Sequence, residues 1–396
     1  MRIVMIMRSQ VGVPGRAGVP GGQIGMAQLA RAQAQLGAQV TLFVGGPRMD
    51  YLDGLDDVTI QHLRWPVSLD QAIERAPAKV RDLGRRLRRQ RWLTTLTSLP
   101  GVESAHVIHI QGLHDAEVLL TRLNGPLVVT HWGRVGRWLP TGVDPAADRA
   151  LAQRNGRLRA SVTLVAIGQA QGQALAAAGL PPTAVIPPGI DRNHFIPGDR
   201  RRARREVGLP VEDGIVLYVG RLALDKNVAT LLRAFAMVHA SVPSARLLII
   251  GDGPTKPDLV SLARQLGVES SATFQPFVPH YRLPPYYQAA DVTVVPSDKV
   301  ETFCMVALEA IACGCPVIVS DQVPEILQAF PEVPSVTPDD IVGLHAQLVT
   351  ALRGQLHPAD NTRIADYDWS GVARRYAVLY QTALRHRGNP RAETRS

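Results

Sequence analysis

Short apolar runs alternate with amphipathic stretches along most of the chain. In the first half the runs are Ile3–Met7, Val40–Val44, Val107–Ile110, Leu127–Thr130 and Val162–Ile167. Each run has the length of a buried strand, and longer segments of helical periodicity lie between several of them. Alternation of this kind predicts parallel strands joined by crossover helices, which is an α/β fold.

The same alternation begins again in the second half of the chain. The apolar runs there are Gly214–Gly220, Arg246–Ile250, Asp291–Val295 and Val317–Val319. Between the two series, Pro187–Gly189 predicts a stiff turn at which the chain leaves its first domain. A chain of 396 residues suits two α/β cores better than one. We therefore predict domains at 1–187 and 188–368, followed by a helical tail at 369–396.

Composition narrows the possible compartments and ligands. The net charge of +9 suits an anionic ligand, which could be a nucleotide, a phosphorylated substrate or an acidic membrane surface. No run of 18 apolar residues predicts a membrane-spanning helix. Cys304, Cys313 and Cys315 lack a second ligand pair at zinc-site spacing, and no disulfide framework is expected. We predict reduced thiols and a cytoplasmic location.

The segment from Pro296 to Pro316 carries two acidic residues around a predicted helix. The helix covers Met305–Cys313 and is closed by a glycine. Glu301 stands at its entrance, where free backbone N–H groups and the helix dipole favour anions and hydroxyl oxygens. Glu309 stands among apolar residues and should be buried only with a partner. Taken alone, the two acids also fit a helix cap and an internal ion pair.

Two cations follow the predicted strand that ends at Gly220. Arg221 and Lys226 would meet a ligand at the carboxyl end of that strand, the arginine as a planar fork and the lysine as a point charge. Together they could hold a diphosphate, although two plain surface charges are an equally good interpretation. The later pair Gly251-x-Gly253 lacks the third glycine of a dinucleotide-binding turn, so we predict a structural turn there.

Polar residues also follow the strands of the first domain. Gly21 and Gly22 precede a predicted helix, Ile24–Leu36, where a glycine pair lets backbone N–H groups approach a phosphate or simply makes a tight turn. His109 and His131 stand at or beyond strand ends, the edge at which open parallel sheets bind ligands. Lone histidines in such places are more often structural.

A basic run, Lys79–Trp92, has Val80, Leu83 and Leu87 at helical spacing. Its plainer interpretation is a solvated helix with one buried stripe. The alternative is a surface patch for anionic lipid or for a phosphorylated acceptor.

The motifs of the second domain carry a family resemblance. Gly-Arg-x4-Lys at 220–226, then Glu-x7-Glu at 301–309 and Gly-x-Pro-Val-Ile at 314–318, resemble the signature of the retaining glycosyltransferases of family 4, also called group 1. Gly-Gly-Gln at 21–23 and the segment 130–134 resemble the branch that includes sucrose-phosphate synthases and cyclitol or aminoglycoside glycosyltransferases. The resemblance implies the GT-B fold, in which two Rossmann-like domains face a cleft and a C-terminal helix crosses back to the first domain.

The resemblance also implies a reaction, the transfer of a sugar from a nucleotide-diphosphate sugar, with UDP favoured, to a hydroxyl with retention of configuration. Arg221 and Lys226 would stabilise the leaving diphosphate, and Glu301 and His131 would contact the donor sugar. Glu309 would accept from the ribose hydroxyls. The other expected donor contacts are Gly21, Gly22, Phe303, Cys304 and Met305. The expected acceptor contacts are Gln23, His109 and Arg134. Gln23, Arg134 and the Pro187–Gly189 turn favour a small polar acceptor such as a sugar, a cyclitol or their phosphate.

Two departures from the family pattern stand out. The loop Ser320–Glu325 lacks the usual Gly-Gly pair and is two residues shorter, whereas Ser297–Glu301 is one residue longer. Because two cations can replace a metal and no Asp-x-Asp motif follows a strand, we expect no metal and no cofactor. No nucleic-acid partner is expected, and the oligomeric state is open. The alternatives are a lipid- or polysaccharide-directed transferase at the membrane surface, a nucleotide-sugar epimerase, a non-catalytic nucleotide-sugar-binding protein and a nicotinamide enzyme.

Overall fold

The computed structural model describes most of the chain, in two compact units. Described are residues 1–8, 21–45, 55–63, 101–120, 125–133 and 145–388, with the single positions 52, 84, 87, 95, 123, 135 and 139. The described residues up to Gly189 and those from Trp369 onward form the first unit, and Ile190–Asp368 belongs to the second. The sequence placed these boundaries after residues 187 and 368.

A parallel sheet forms the centre of the first unit. Within the described ranges its strands are β1 (Arg2–Arg8), β2 (Gln39–Gly45), β3 (Thr59–Leu63), β4 (Val107–Gln111), β5 (Leu127–His131), β6 (Thr163–Ala166) and β7 (Ala184–Val185). Their order is β3-β2-β1-β4-β5-β6-β7, and every pair is parallel. Four helices of this unit are α1 (Gly21–Gln35), α2 (Leu113–Leu119), α3 (Pro145–Ser161) and α4 (Gln169–Ala177).

The second unit repeats the same plan. Its strands are β8 (Gly214–Val219), β9 (Ala245–Ile250), β10 (Ala272–Gln275), β11 (Val292–Val295), β12 (Val317–Ser320) and β13 (Ser335–Val336). All pairs are parallel, and the order β10-β9-β8-β11-β12-β13 is that of a Rossmann fold.

Seven described helices accompany these strands. They are α5 (Arg200–Glu206), α6 (Val228–Ser241), α7 (Lys256–Gln265), α8 (Pro284–Ala289), α9 (Met305–Ala312), α10 (Pro324–Ala329) and α11 (Ile341–Leu352). Five of them, α6 to α10, connect one strand to the next. Short 3₁₀ segments lie at Leu224–Lys226, His280–Arg282 and Asn361–Tyr367.

The last helix, α12 (Trp369–Gly388), packs in the first unit. Its buried residues Val372, Tyr376 and Tyr380 belong to the same apolar cluster as Met5 of β1 and Val128 of β5. The predicted return of the C-terminal helix to the first domain is therefore confirmed, as is the α/β fold with two Rossmann-like domains.

Both faces of each sheet are covered, as continuous apolar strands require. In β1, for example, Ile3 and Met5 face one cluster while Val4 and Ile6 face another. Strands β3 and β13 were not predicted, because β3 (Thr-Ile-Gln-His-Leu) is only half apolar and β13 is two residues long. Strand β7 overlaps, at Val185, the strand that the sequence predicts where the chain leaves its first domain. None of the described helices is long and apolar enough to cross a membrane.

Candidate active site

The polar groups of the second unit converge at the carboxyl ends of β8, β11 and β12. Because the strands are parallel neighbours, their following loops share one edge of the sheet. Arg221 and Lys226 follow β8, Glu301 follows β11, and Gln322 follows β12. The sequence motifs at 220–226 and 301–309 are thereby brought together.

Lys226 and Glu301 form a direct ion pair. The lysine Nζ lies 2.5 Å from Glu301 Oε1, and both side chains are largely shielded from solvent. The loop that carries Glu301 is joined to the same turn by its backbone, since Asp298 N donates to Asp225 O. At the other side, Glu301 N donates to Gln322 O at 2.8 Å. The lysine predicted for the diphosphate and the acid predicted for the donor sugar are thus adjacent.

Arg221 is more exposed, with 51% of its side chain accessible, and its guanidinium lies 3.1 Å from Asp225. Its carbonyl accepts a hydrogen bond from the Tyr218 hydroxyl at 3.0 Å. Burial first, and the nearby Glu301 charge second, raise the pKa of Tyr218 well above its ordinary value. Tyr218 therefore stays protonated and keeps donating to the arginine's backbone.

Glycines fix the course of the Arg221 loop. Gly251 has φ 145°, and a Cβ added there would lie 1.9 Å from the carbonyl oxygen of Gly220. A Cβ on Gly253, at φ 159°, would lie 2.1 Å from the carbonyl oxygen of Leu222. The backbone of the turn after β9 thus packs directly against the backbone of the loop after β8, with no space for a side chain between them. This contact explains the glycine pair as a structural turn, as predicted.

Glu309 of α9 is almost fully buried. The sequence predicts a partner for its carboxylate, and the structure shows two. The Tyr287 hydroxyl donates to Oε2 at 2.7 Å, and His280 Nε2 lies 2.9 Å from Oε1. Burial first, and the Glu309 charge second, raise the pKa of Tyr287 well above its ordinary value, so it remains a donor. Each carboxylate oxygen keeps a second lone pair for a further donor. Neither partner carried a motif that sequence inspection could have recognised.

A short segment leads from Glu301 to the first turn of α9, which begins at Met305. Phe303, Cys304 and Met305 enter this helix, whose first N–H groups have no acceptor within it. Burial first, and the Glu301 charge second, raise the pKa of the Cys304 thiol to about 12. Burial raises the pKa of Cys315 to about 12 as well. Both remain thiols, so neither is a nucleophile at neutral pH.

In the first unit, His131 ends β5 and is 6% exposed. Its segment is held by Gln171 of α4, whose amide nitrogen donates to the carbonyls of His131 and Gly133, both at 2.8 Å. The Gln171 carbonyl accepts from Ile167 N at 2.8 Å. This pair of buried hydrogen bonds could not be predicted from the sequence, because glutamine in a helix carries no motif.

The glycine pair opens α1 against an aromatic ring. A Cβ on Gly22 would lie 2.9 Å from Trp132 Cγ, and one on Gly25 would lie 2.2 Å from Trp132 Cη2. The indole therefore lies flat on the glycine face of the first helical turns. Gly21 is the first residue of α1, and the Gln23 side chain beyond it is buried. Packing against Trp132 accounts for Gly22 without any ligand.

His109 lies inside the sheet rather than at its edge. It is fully buried, and its two ring nitrogens lie 2.7 Å from the Tyr380 hydroxyl and 2.7 Å from Thr130 Oγ1. The Tyr376 hydroxyl lies 2.9 Å from the same Thr130 oxygen. Since both nitrogens are already bonded within the protein, the expected acceptor contact from His109 is withdrawn. Its side chain fastens α12 to the sheet.

Three expectations fall wholly or mostly outside the described residues. They are the acceptor role of Arg134, the glycine- and proline-rich loop that the sequence predicts at Val11–Gly22, and the basic run Lys79–Trp92, of which Gly84 and Leu87 alone are described. Within the described residues, no group of three or more histidine, cysteine, aspartate or glutamate side chains could hold a metal ion.

Two family descriptions match the chain in succession. Glycosyltransferase Family 4 matches residues 19–194, and Glycosyl transferases group 1 matches residues 199–332. A D-inositol 3-phosphate glycosyltransferase of Catenulispora acidiphila is 32% identical over 80% of this chain and 78% of its own length. Another, of Acidothermus cellulolyticus, is 44% identical over 34% of this chain and 32% of its own.

Solved structures share the fold along nearly the whole chain. A sucrose-phosphate synthase of Thermosynechococcus elongatus has a TM-score of 0.74 at 23% identity, and covers 96% of this chain and 98% of its own. The Anabaena protein HepE, solved with UDP-glucose, has a TM-score of 0.71 at 17% identity, covering 96% and 99%. Likeness at these identities shows the GT-B fold alone.

Proposed function

Because the chain belongs to the group 1 glycosyltransferases of family 4, we propose that it transfers a sugar from a uridine-diphosphate sugar to a hydroxyl of a small polar acceptor. The anomeric configuration is retained. Family membership itself makes the protein an enzyme of the hexosyltransferase type. The donor nucleotide, the acceptor and the stereochemistry are the proposed parts.

The contact between Lys226 and Glu301 carries this proposal. It joins the two motifs of the second unit, 75 residues apart in the chain, at one edge of the sheet. A cation and a carboxylate in contact can serve adjacent parts of one ligand, the lysine a diphosphate and the acid a sugar hydroxyl. Arg221 adds a second cation to the diphosphate, and Glu309 accepts from the ribose.

In the proposed reaction the acceptor oxygen forms a bond to the anomeric carbon as the bond to the diphosphate breaks. Attack occurs on the same face, and the leaving phosphate takes the proton of the acceptor hydroxyl. Lys226 and Arg221 stabilise the charge that grows on the diphosphate. Because these cations supply that stabilisation, the proposal includes no metal, and activity should persist in a chelator such as EDTA.

The acceptor that we favour is a cyclitol phosphate. The relatives named above are D-inositol 3-phosphate glycosyltransferases, and the net charge of +9 suits an anionic substrate. His131 remains the proposed donor-sugar contact of the first unit. Gln23 and Arg134 remain proposed acceptor contacts.

A panel of nucleotides tests the donor class. Thermal unfolding is followed with UDP, GDP, ADP, TDP and NAD at millimolar concentration, since a ligand at 100 times its Kd adds about 2.7 kcal/mol of stability. We expect a rise in Tm with UDP that is absent in Lys226→Ala. No rise with any diphosphate, or a rise with NAD alone, would overturn the donor assignment.

Product analysis then tests the reaction. Incubation with UDP-glucose and D-inositol 3-phosphate should yield UDP and a glycosylated acceptor of retained configuration. A changed nucleotide sugar without acceptor would identify an epimerase instead. Glycosylation of lipid extracts, but of no cyclitol or sugar phosphate, would identify a lipid-directed transferase.

A further inference from the structure

Ser297 directly follows the β11–Pro296 segment and contacts the Glu301 carboxylate. Its hydroxyl donates to Glu301 Oε1 at 2.5 Å, within the range for a hydroxyl bound to a carboxylate. Lys226 Nζ bonds the same oxygen. Every hydrogen bond that the described residues make to this carboxylate therefore falls on Oε1.

The serine is itself held in place from the neighbouring strand. Ser297 is 1% exposed, and Ser320 at the end of β12 donates from its hydroxyl to the Ser297 carbonyl at 2.6 Å. Glu301 N donates to Gln322 O in the loop that follows. Because the serine hydroxyl is shielded from solvent, it donates its single proton to the Glu301 carboxylate and not to water.

The two oxygens of Glu301 are thus unequal. Oε1 is filled by a lysine and a serine, whereas Oε2 keeps its lone pairs for a donor outside the described protein groups. A lysine alone could bond either oxygen, because its ammonium carries three rotatable protons. A short bond from a buried hydroxyl selects one of them.

We propose that Ser297 is a positioning residue that keeps Glu301 Oε1 on Lys226 and so presents Oε2 to a hydroxyl of the donor sugar. This role rests on the proposed function, in which Glu301 contacts the sugar. Ser297 touches neither the sugar nor the diphosphate. Its effect should therefore appear in recognition of the sugar and not in recognition of the nucleotide.

The test compares UDP with UDP-glucose by isothermal titration calorimetry of the full chain. In Ser297→Ala we expect the affinity for UDP-glucose to fall about 3- to 10-fold, the usual worth of one hydrogen bond. The affinity for UDP should stay within about twofold of the wild type. Ser297→Thr, which keeps a hydroxyl, should restore part of the loss.

Ser271→Ala is the matched control. Ser271 lies in the same unit and is also 1% exposed, but its hydroxyl donates to the carbonyl of Val268. Its variant should change neither affinity. Ser297→Cys, close in size to serine but a weak donor, gives a second measurement if the alanine variant does not fold.

Equal losses of UDP and UDP-glucose binding in Ser297→Ala or Ser297→Cys would mean that the serine only supports the turn, and would overturn the positioning role. Unchanged binding of both would overturn it as well. If the wild type binds neither ligand, the donor assignment falls first and this role with it. The wild-type titration identifies the third result, and the variant titrations separate the first two.

Discussion

Strands β8 and β11 in the second unit lead into charged side chains that bond one another, whereas β4 and β5 in the first unit carry polar side chains that turn inward. Lys226 and Glu301 meet across two loops at the carboxyl edge of their sheet. His109 within β4 and Thr130 within β5, in a sheet of similar order, bond each other and two tyrosines of α12.

The difference shows that a polar residue near the carboxyl end of a strand can have one of two roles. Where a helix covers the face toward which the side chain points, its polar atoms are used to fasten that helix. Where the side chain belongs to the loop beyond the strand, it stays at the edge and can meet a ligand. In the second unit backbone contacts between glycines hold those loops, and in the first unit side-chain bonds hold the helix.

The largest expected effect tests the glycine scaffold of the second unit. Gly251→Ala places a methyl group against the Gly220 carbonyl, at a φ that other residues rarely adopt. Overpacking and backbone strain each cost about 1–3 kcal/mol, so we expect a loss of roughly 4 kcal/mol in the free energy of unfolding by denaturant.

Gly267→Ala is the control for that substitution. Gly267 has φ 71° and no neighbouring atom within 4 Å of the added carbon, so the strain alone should cost about 1–2 kcal/mol. Equal losses in the two variants would show that close approach of the two loops contributes nothing.

The next largest effect concerns Lys226. Lys226→Ala should lower kcat/KM roughly 30- to 1000-fold, because the lysine stabilises the charge that develops on the leaving diphosphate. This factor corresponds to a loss of about 2–4 kcal/mol of transition-state stabilisation. Steady-state kinetics with UDP-glucose measures this. Lys256→Ala, at the start of α7 in the same unit, is the control and should be near wild type. A fall below about threefold at Lys226 would remove the assigned role.

Much of the fold could be predicted because apolar runs and turn residues are local signals. The runs Ile3–Met7, Val40–Val44 and Val317–Val319 lie within β1, β2 and β12. The 3₁₀ turn that carries Lys226, by contrast, bonds a loop about 75 residues away in the chain, through Asp225 to Asp298 and Lys226 to Glu301. No local pattern encodes such contacts.

The site was predictable only where residue type and spacing matched a known motif. Lys226, Glu301 and Glu309 were found in this way. Tyr287 and His280 were missed because they contact Glu309 only through tertiary packing. Tyr287 lies in helix α8, and His280 lies in the 3₁₀ turn before it. His109 was misplaced because period-two alternation does not say which face of a sheet a tail helix will cover.

The next effect is the pH dependence of stability, which tests the buried hydrogen-bond network around His109 in the first unit. Burial lowers the pKa of His109 to about 3 from its ordinary 6.5. Between those values the unfolded chain binds a proton that the folded chain does not, so stability is complete above pH 6.5 and falls as pH decreases toward 3.

The free energy of unfolding should therefore be about 1.4 kcal/mol lower at pH 5.5 than at pH 7.5. Thr130, Tyr376 and Tyr380, which face the ring, are neutral and cannot compensate an imidazolium charge. Denaturant unfolding across this range measures the slope. His109→Gln should flatten it, and an unchanged slope would mean that other groups cause the pH dependence.

The smallest effect returns to the turn that carries Lys226. Asn227, at φ 51°, adopts a left-handed conformation, and its amide donates to Asp339, itself at φ 66°. Asn227→Gly removes this bond but relieves the strain, so stability should change by less than about 1 kcal/mol. Asn227→Ala loses the bond and keeps the strain, and should be the less stable of the two by roughly 1 kcal/mol. Since both variants lack the side-chain bond, a glycine variant that unfolds more easily than the alanine variant would show that the left-handed conformation at position 227 does not strain a residue with a side chain.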